Sequence, residues 1–175
     1  VLTRREAGSK PDLWAARLDA ARDSVLALRP LTRTPDAEAA ANVSPDGRWL
    51  AYQSDQTGRP EVYVAPLRPD GLGPQIQLTD QGGAAPEWVS PGVVYFRGLD
   101  QQRVYLMTVG ADPATGDHAA REWFDMRALG LQDMATMHNG NAIVVESGPL
   151  EREGPRAVNL VFGWAGGLKR RLSAR

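Results

Sequence analysis

The stretch Asn42-Val43-Ser44-Pro45-Asp46-Gly47-Arg48-Trp49-Leu50-Ala51-Tyr52-Gln53-Ser54 joins two short runs through a Ser-Pro-Asp-Gly turn. Asp-Gly tolerates the positive φ that tight hairpins demand, and the aromatic and aliphatic run after it has strand character. Read alone, the stretch is a hairpin. What decides the fold is its recurrence. Trp88-Val89-Ser90-Pro91-Gly92-Val93-Val94-Tyr95-Phe96-Arg97-Gly98 repeats it with the turn shortened by two residues. Met137-His138-Asn139-Gly140-Asn141-Ala142-Ile143-Val144-Val145-Glu146-Ser147 is a third copy, with its turn at Asn139 and Gly140.

A second repeated series flanks the hairpins. Asp12-Leu13-Trp14-Ala15-Ala16-Arg17-Leu18 and Glu61-Val62-Tyr63-Val64-Ala65-Pro66-Leu67 share the pattern acid, aliphatic, aromatic, three residues, leucine, 49 residues apart. Arg103-Val104-Tyr105-Leu106-Met107-Thr108-Val109 follows 42 residues later without the acid. Leu31-Thr32 and Leu78-Thr79 stand 47 apart, each about a dozen residues ahead of a hairpin. A period of this size signals a repeat architecture. One period predicts four strands: a leading one near residues 28–32, the two hairpin arms, and an outer one at 62–67. That is the content of one β-propeller blade. Gly, Pro, Asp and Thr clusters at 57–60, 69–74 and 110–117 suit loops. Segments 19–28 and 36–41 are Ala-rich with helix propensity, but neither sustains an apolar stripe over three turns. They read as blade connections lengthened on one rim.

The expected fold is therefore all-β, one domain over residues 1–175 built of four-stranded antiparallel blades. Blades are expected at about 28–67, 75–109 and 120–162, with 12–18 the outer strand of a preceding blade and 163–175 a tail. Propellers generally need at least four blades to close, so the expectation is the C-terminal part of a larger propeller. The chain begins without Met and reads as a piece of a longer one. An open blade edge leaves backbone groups unpaired, so missing N-terminal blades or self-association are expected to cover it.

Composition narrows the chemistry. A formal charge of −1, from 20 Lys and Arg against 21 Asp and Glu, argues against nucleic acid as a partner. No cysteine is present, which removes disulfides, thiolate nucleophiles and Cys-ligated metal sites. No apolar run approaches the roughly 20 residues of a membrane helix, and the opening residues lack the pattern of a secretory leader. The abundance of 18 Gly and 13 Pro predicts many turns.

Ser44, Pro45, Asp46 and Gly47, Ser90, Pro91 and Gly92, and Asn139 with Gly140 are assigned to repeat turns. Asp46 lacks the alternating carboxylates of a calcium loop. His118 and His138 have no metal-ligand spacing, and no Gly-x-Ser-x-Gly nucleophile elbow occurs. No catalytic residue, metal site or cofactor is expected. Trp14, Trp49, Tyr52, Tyr63, Trp88 and Tyr105 are read as blade packing, since aromatic rings bury the most area; Trp123 is read as part of an inward strand. Met126, Met134 and Met137 are read as core. Lys169, Arg170, Arg171 and Arg175 read as a solvated tail.

The run Ser44-Pro45-Asp46-Gly47-Arg48-Trp49-Leu50-Ala51-Tyr52, then Ser54, then Gly58-Arg59-Pro60-Glu61-Val62-Tyr63-Val64, resembles the repeat of TolB-type bacterial β-propellers. The resemblance covers roughly residues 12–164. The end, Ala157-Val158-Asn159-Leu160-Val161-Phe162-Gly163-Trp164-Ala165-Gly166-Gly167-Leu168-Lys169, is similar to the closing segment of propellers appended to bacterial serine/threonine protein kinases. Here Gly163 replaces the usual Asn, and Gly166 and Gly167 stand where acidic residues are common. The resemblance implies a six-bladed parent and a sensor or docking role for a protein, peptide or small ligand at the rim or channel. It places any kinase activity upstream, because no kinase motif lies in these residues. It favours the extracytoplasmic side of a bacterial inner membrane, or the periplasm, over the cytoplasm. Two alternatives remain: an envelope interaction protein of TolB type, and the gating propeller of a prolyl-oligopeptidase-like hydrolase.

Overall fold

The computed structural model describes residues 1–19, 21, 24–116 and 118–128 in full and the backbone of 129, 133–136, 142–145 and 159–161. Their strands make four antiparallel sheets, each a meander in chain order. The first sheet holds β1 (Leu2–Arg5), β2 (Pro11–Leu18) and β3 (Val25–Pro30). The second holds β4 (Glu38–Val43), β5 (Trp49–Ser54) and β6 (Glu61–Arg68), with the short β7 (Gly71–Leu72) and β8 (Ile76–Gln77) both on the outer edge of β6. The third holds β9 (Ala84–Ser90), β10 (Val93–Arg97), β11 (Arg103–Thr108) and β12 (Ala119–Asp125). The fourth holds β13 (Asp133–Thr136), β14 (Ala142–Val145) and β15 (Asn159–Val161).

The hairpin between β4 and β5 shows why the recurring turn forms. Ser44 N–H donates to Trp49 O (2.8 Å), and Trp49 N–H donates to the Ser44 hydroxyl oxygen (2.9 Å). The Ser44 hydroxyl donates to Asp46 Oδ1 (2.6 Å), which also accepts Arg48 N–H. Gly47 sits at φ 74°, a region that costs a side chain-bearing residue steric strain and glycine none. The β9–β10 hairpin closes more tightly, with Val93 facing Ser90 across Pro91 and Gly92.

Strand alternation then builds the core, because successive side chains leave opposite faces of a sheet. Leu50, Tyr52, Tyr63 and Ala65 face the first sheet and pack with Leu13. Their neighbours Ala51, Val62 and Val64 face the third and pack with Trp88, Phe96 and Met107. The second sheet is thus covered on both faces, which is why β6 is buried from Glu61 to Ala65. On the opposite face of the third sheet, Tyr95, Val104, Phe124 and Met126 form another buried cluster. Side-chain amides stitch the second and third sheets. Trp88 N–H donates to Asn42 Oδ1 and Ala85 N–H to Gln53 Oε1, both at 3.0 Å.

Four strands per period hold for the second and third sheets, but the period starts one strand later than expected. The strand expected near 28–32 is β3, which pairs back onto β2 with Leu28 opposite Ala16. It closes the first sheet instead of opening the second. Segment 62–67 lies in the third strand of its sheet, since β8 pairs outside it, and 12–18 is a middle strand between β1 and β3. The second and third sheets accordingly run 38–77 and 84–125, not 28–67 and 75–109. The two Ala-rich segments read as connections hold strands at Val25–Pro30 and Glu38–Val43. Pairing with a neighbouring strand overrides their local preference. Ala40 even takes φ 50°, where the register between β4 and β5 shifts.

The third hairpin supplies β14, while Asn139, Gly140, Met137, His138, Trp164 and the basic tail lie outside the described residues. Among the described residues, no helix is long and apolar enough to cross a membrane.

Candidate functional site

Glu61 opens β6 fully buried, and its partners explain how a carboxylate survives there. Gly82 N–H donates to both carboxylate oxygens at 2.9 Å, the Thr79 hydroxyl donates to Oε2 at 2.5 Å, and Arg59 Nε reaches Oε1 at 2.7 Å. Thr79 Oγ1 in turn accepts Val62 N–H at 2.8 Å. The two repeated series of the sequence therefore meet. The acid before each aliphatic-aromatic pair and the threonine of each Leu-Thr pair form one latch, placed where the chain crosses to the next sheet. Gly82 fits because its φ is 92° and a Cβ there would sit 2.5 Å from Leu99.

The first sheet repeats the latch less completely. The Thr32 hydroxyl donates to Asp12 Oδ1 (3.2 Å) and accepts Leu13 N–H (2.9 Å), while Thr34 N–H lies 3.4 Å from Asp12 Oδ1. A second acid, Glu38, is buried nearby. Its Oε1 accepts the Thr34 hydroxyl (2.6 Å) and the Ser54 hydroxyl (3.3 Å), and its Oε2 is buried without a partner. Burial pushes the Glu38 carboxyl above the usual carboxylate range, against the pull of its hydroxyl donors. In the third sheet Arg103 stands at the acid's position, opposite Asp125.

Beside the Glu61 latch, a cleft of about 420 Å³ opens along the seam between the second and third sheets. Phe96 and Tyr105, paired across β10 and β11 with ring centroids 5.3 Å apart, line it together with Leu78 and Met107. Leu99, 49% exposed, and His118 stand at its edges. His118 Nε2 is 2.7 Å from the Pro113 carbonyl oxygen. A carbonyl only accepts, so Nε2 carries the proton and Nδ1 of the neutral ring is an acceptor. Asp100 and Arg103 also line the cleft. The Asp100 carboxyl is held low, first by Arg103 N–H and next by Gln102 N–H (both 3.0 Å), with the Arg103 guanidinium 3.3 Å away.

The residues singled out in the sequence divide between turns and seams. Ser44, Pro45, Asp46 and Gly47 form the first turn and Ser90, Pro91 and Gly92 the second. The Ser44 hydroxyl, then the Arg48 amide and guanidinium, hold the Asp46 carboxyl down to about 2. Tyr52 and Tyr63 stack at 5.9 Å in the first seam, and burial pushes the Tyr52 hydroxyl up. Trp88 is buried in the second seam, where Trp49 and Tyr105 pack partly buried against the same cluster. Trp14 lies apart from both. It neighbours Leu13 on the opposite face of β2, under the Arg4 guanidinium at 4.5 Å. Trp123 is half-buried in β12 against the cluster on the far face of the third sheet. Met126 is buried in that same cluster.

The cleft residues Phe96, Leu99 and Ala120 carried no functional expectation. The available signals were Phe96 in the place that Tyr52 holds one period earlier and an apolar Leu99 inside a turn. Among the described residues, no group of three or more His, Cys, Asp and Glu is placed to hold a metal.

No protein-family model matches the chain, and no curated protein matches it. Among solved structures, the S511A mutant of a puromycin hydrolase complexed with PGG aligns with 78% of this chain at 22% identity and a TM-score of 0.52. A putative TolB from Agrobacterium tumefaciens aligns with 66% at 22% identity and a TM-score of 0.49. This chain spans 23% of the first and 42% of the second. At such identity the hydrolase likeness speaks to fold alone. Together with the stacked four-stranded sheets, it makes this chain an all-β segment of a β-propeller whose sheets are not closed into a ring.

Proposed function

We propose that the chain is a non-catalytic binding segment of a larger propeller, engaging a protein, peptide or small ligand. The observation that carries this reading is the apolar seam cleft, set on sheets packed face to face, with the Thr79 hydroxyl, the Asp100 carboxylate and the Arg103 guanidinium at its border engaged in the fold. Concave, mostly apolar sites on rigid scaffolds are the usual form of ligand sites. The carboxylates of Asp46, Asp55, Glu61 and Asp100 each accept backbone N–H groups, a structural employment and not a catalytic one. The near-neutral charge gives no reason to expect nucleic acid.

The first sheet has three strands where the second and third have at least four, and β1 and β3 are its two edges. Leu18 at the end of β2 and Val25, Leu26 and Leu28 in β3 are exposed. In this reading, preceding blades or a second copy cover that side. The similarity of the C-terminal sequence to kinase-appended propellers supports a place downstream of a bacterial serine/threonine kinase, facing the extracytoplasmic side. A periplasmic envelope interaction protein of TolB type is the alternative that shares this architecture. A gating role in a prolyl-oligopeptidase-like hydrolase is a further reading that the same propeller fold allows.

The test is the reading frame around these residues. A kinase domain and membrane span upstream are expected. A signal peptide with an α/β domain upstream would select the envelope reading, and a downstream domain with a nucleophile elbow would replace the binding role by gating.

A further inference from the structure

The two seams of the molecule are related by the repeat, and one is closed by the chain itself. In the first seam, Leu72 of β7 packs against the cluster of Leu13, Leu50, Tyr52 and Tyr63. Three residues later, Gln75 accepts the Tyr52 hydroxyl at 2.7 Å and donates to Gln56 at 2.9 Å. The segment 71–75 thus lies along the seam as an extended strap, giving it one aliphatic side chain and one carboxamide.

Among the described residues, the second seam has no such strap. Gln77 faces Tyr63 and Glu122 faces Tyr105, so counting back two residues makes Ala120 the counterpart of Gln75. Phe96 replaces Tyr52 and offers no hydroxyl. The loop that could cross turns back on itself, with His118 bonded to Pro113. What remains is the cleft, and its lining residues Leu78, Phe96 and Met107 belong to the buried inter-sheet cluster. It is a continuation of an established apolar interface, with Leu99 half-exposed beside it.

We infer that the second seam is a docking groove for an extended segment of a partner polypeptide, which inserts one aliphatic side chain between Phe96, Met107 and Leu78. The segment supplies from outside what residues 71–75 supply to the first seam. This rests on the binding role proposed above and assigns it a place and a ligand class. A bulky group at Ala120, which is exposed and lines the cleft, blocks the groove without entering the core. Leu99→Ser, at an exposed turn, removes apolar contact.

The experiment pans a phage-displayed library of random linear nonapeptides against the full chain. Enriched peptides are resynthesised and titrated into wild type, Ala120→Trp and Leu99→Ser, each with an unchanged circular dichroism spectrum. The expected result is a shared aliphatic position and an affinity at least about tenfold weaker for Ala120→Trp, since filling the pocket removes burial of a whole side chain. Leu99→Ser is expected to bind about threefold more weakly. Peptides that bind all three proteins equally overturn the groove while leaving the binding role standing. Failure of the library to enrich any peptide overturns the groove and counts against the binding role as well.

Discussion

The crossing from the first sheet to the second and the crossing from the second to the third share two parts in the same order, an acid before an aliphatic-aromatic pair and the threonine of a Leu-Thr pair. Their electrostatics differ. At the second crossing one carboxylate, Glu61, is completely buried and all its partners converge on it. At the first the work is divided between the half-buried Asp12 and the buried Glu38, and one oxygen of Glu38 has no partner. A buried charge is tolerable when donors surround it and costly when they do not. The repeat therefore preserves a hydrogen-bond pattern while stability is concentrated at the crossing that is covered on both sides.

The largest test of this asymmetry removes the acids one at a time. Glu61→Ala leaves the Thr79 hydroxyl and Gly82 N–H buried without an acceptor, and should destabilise the chain by about 3 kcal/mol in urea titration. Asp12→Ala should cost under about 1 kcal/mol. Equal losses would erase the distinction between the crossings. A smaller contrast is expected from the threonines. Thr79→Val keeps the shape but strands Val62 N–H, and should cost about 2 kcal/mol against about 1 for Thr32→Val.

Acid sensitivity sharpens the comparison. Asp46 belongs to neither crossing, and its carboxyl is held at about 2 against an ordinary 3.8. A depressed value adds stability above pH of about 4 that is lost as pH falls toward 2. Asp46→Asn should therefore flatten that part of the wild-type stability profile. Glu38 carries the opposite sign, because its carboxyl is raised. Its contribution is complete below the unfolded carboxyl's range and is lost as pH rises through the folded value. Glu38→Gln should give the smallest effect, a slightly higher melting temperature at pH 7 and a weaker decline between acid and neutral pH. A lower melting temperature at pH 7 would mean that the first crossing depends on the Glu38 charge.

Much of the fold is legible before any coordinates. Ser44-Pro45-Asp46-Gly47 announces its hairpin because turn chemistry is local, and the repeats of that hairpin announce stacked sheets. The phase of the repeat is not legible, since a period gives a spacing and no starting point. β8 is two residues long, too short for alternation to register, and its neglect shifted each expected blade by one strand. The latch was half visible: Asp12, Glu61, Thr32 and Thr79 all stand out as repeated, yet only folding brings acid to threonine. The cleft left only faint signals, Phe96 in the place of Tyr52 and an apolar Leu99 inside a turn. It arises from what Phe96 and Ala120 lack relative to Tyr52 and Gln75, and from a loop that bends the other way.

The sheets join one another in chain order, the first through β2 and β4, the next through β4 and β9, the last through β9 and β13. Such a stack behaves as a one-dimensional array, in which cooperativity passes only between neighbours. Its ends fray first and its middle opens last. Amide protons of β5 and β6, shielded on both faces, should exchange with solvent most slowly, while those of β1 and β3 exchange early. Any molecule that adds a sheet beside β1 would then slow exchange there first, with protection spreading inward one sheet at a time.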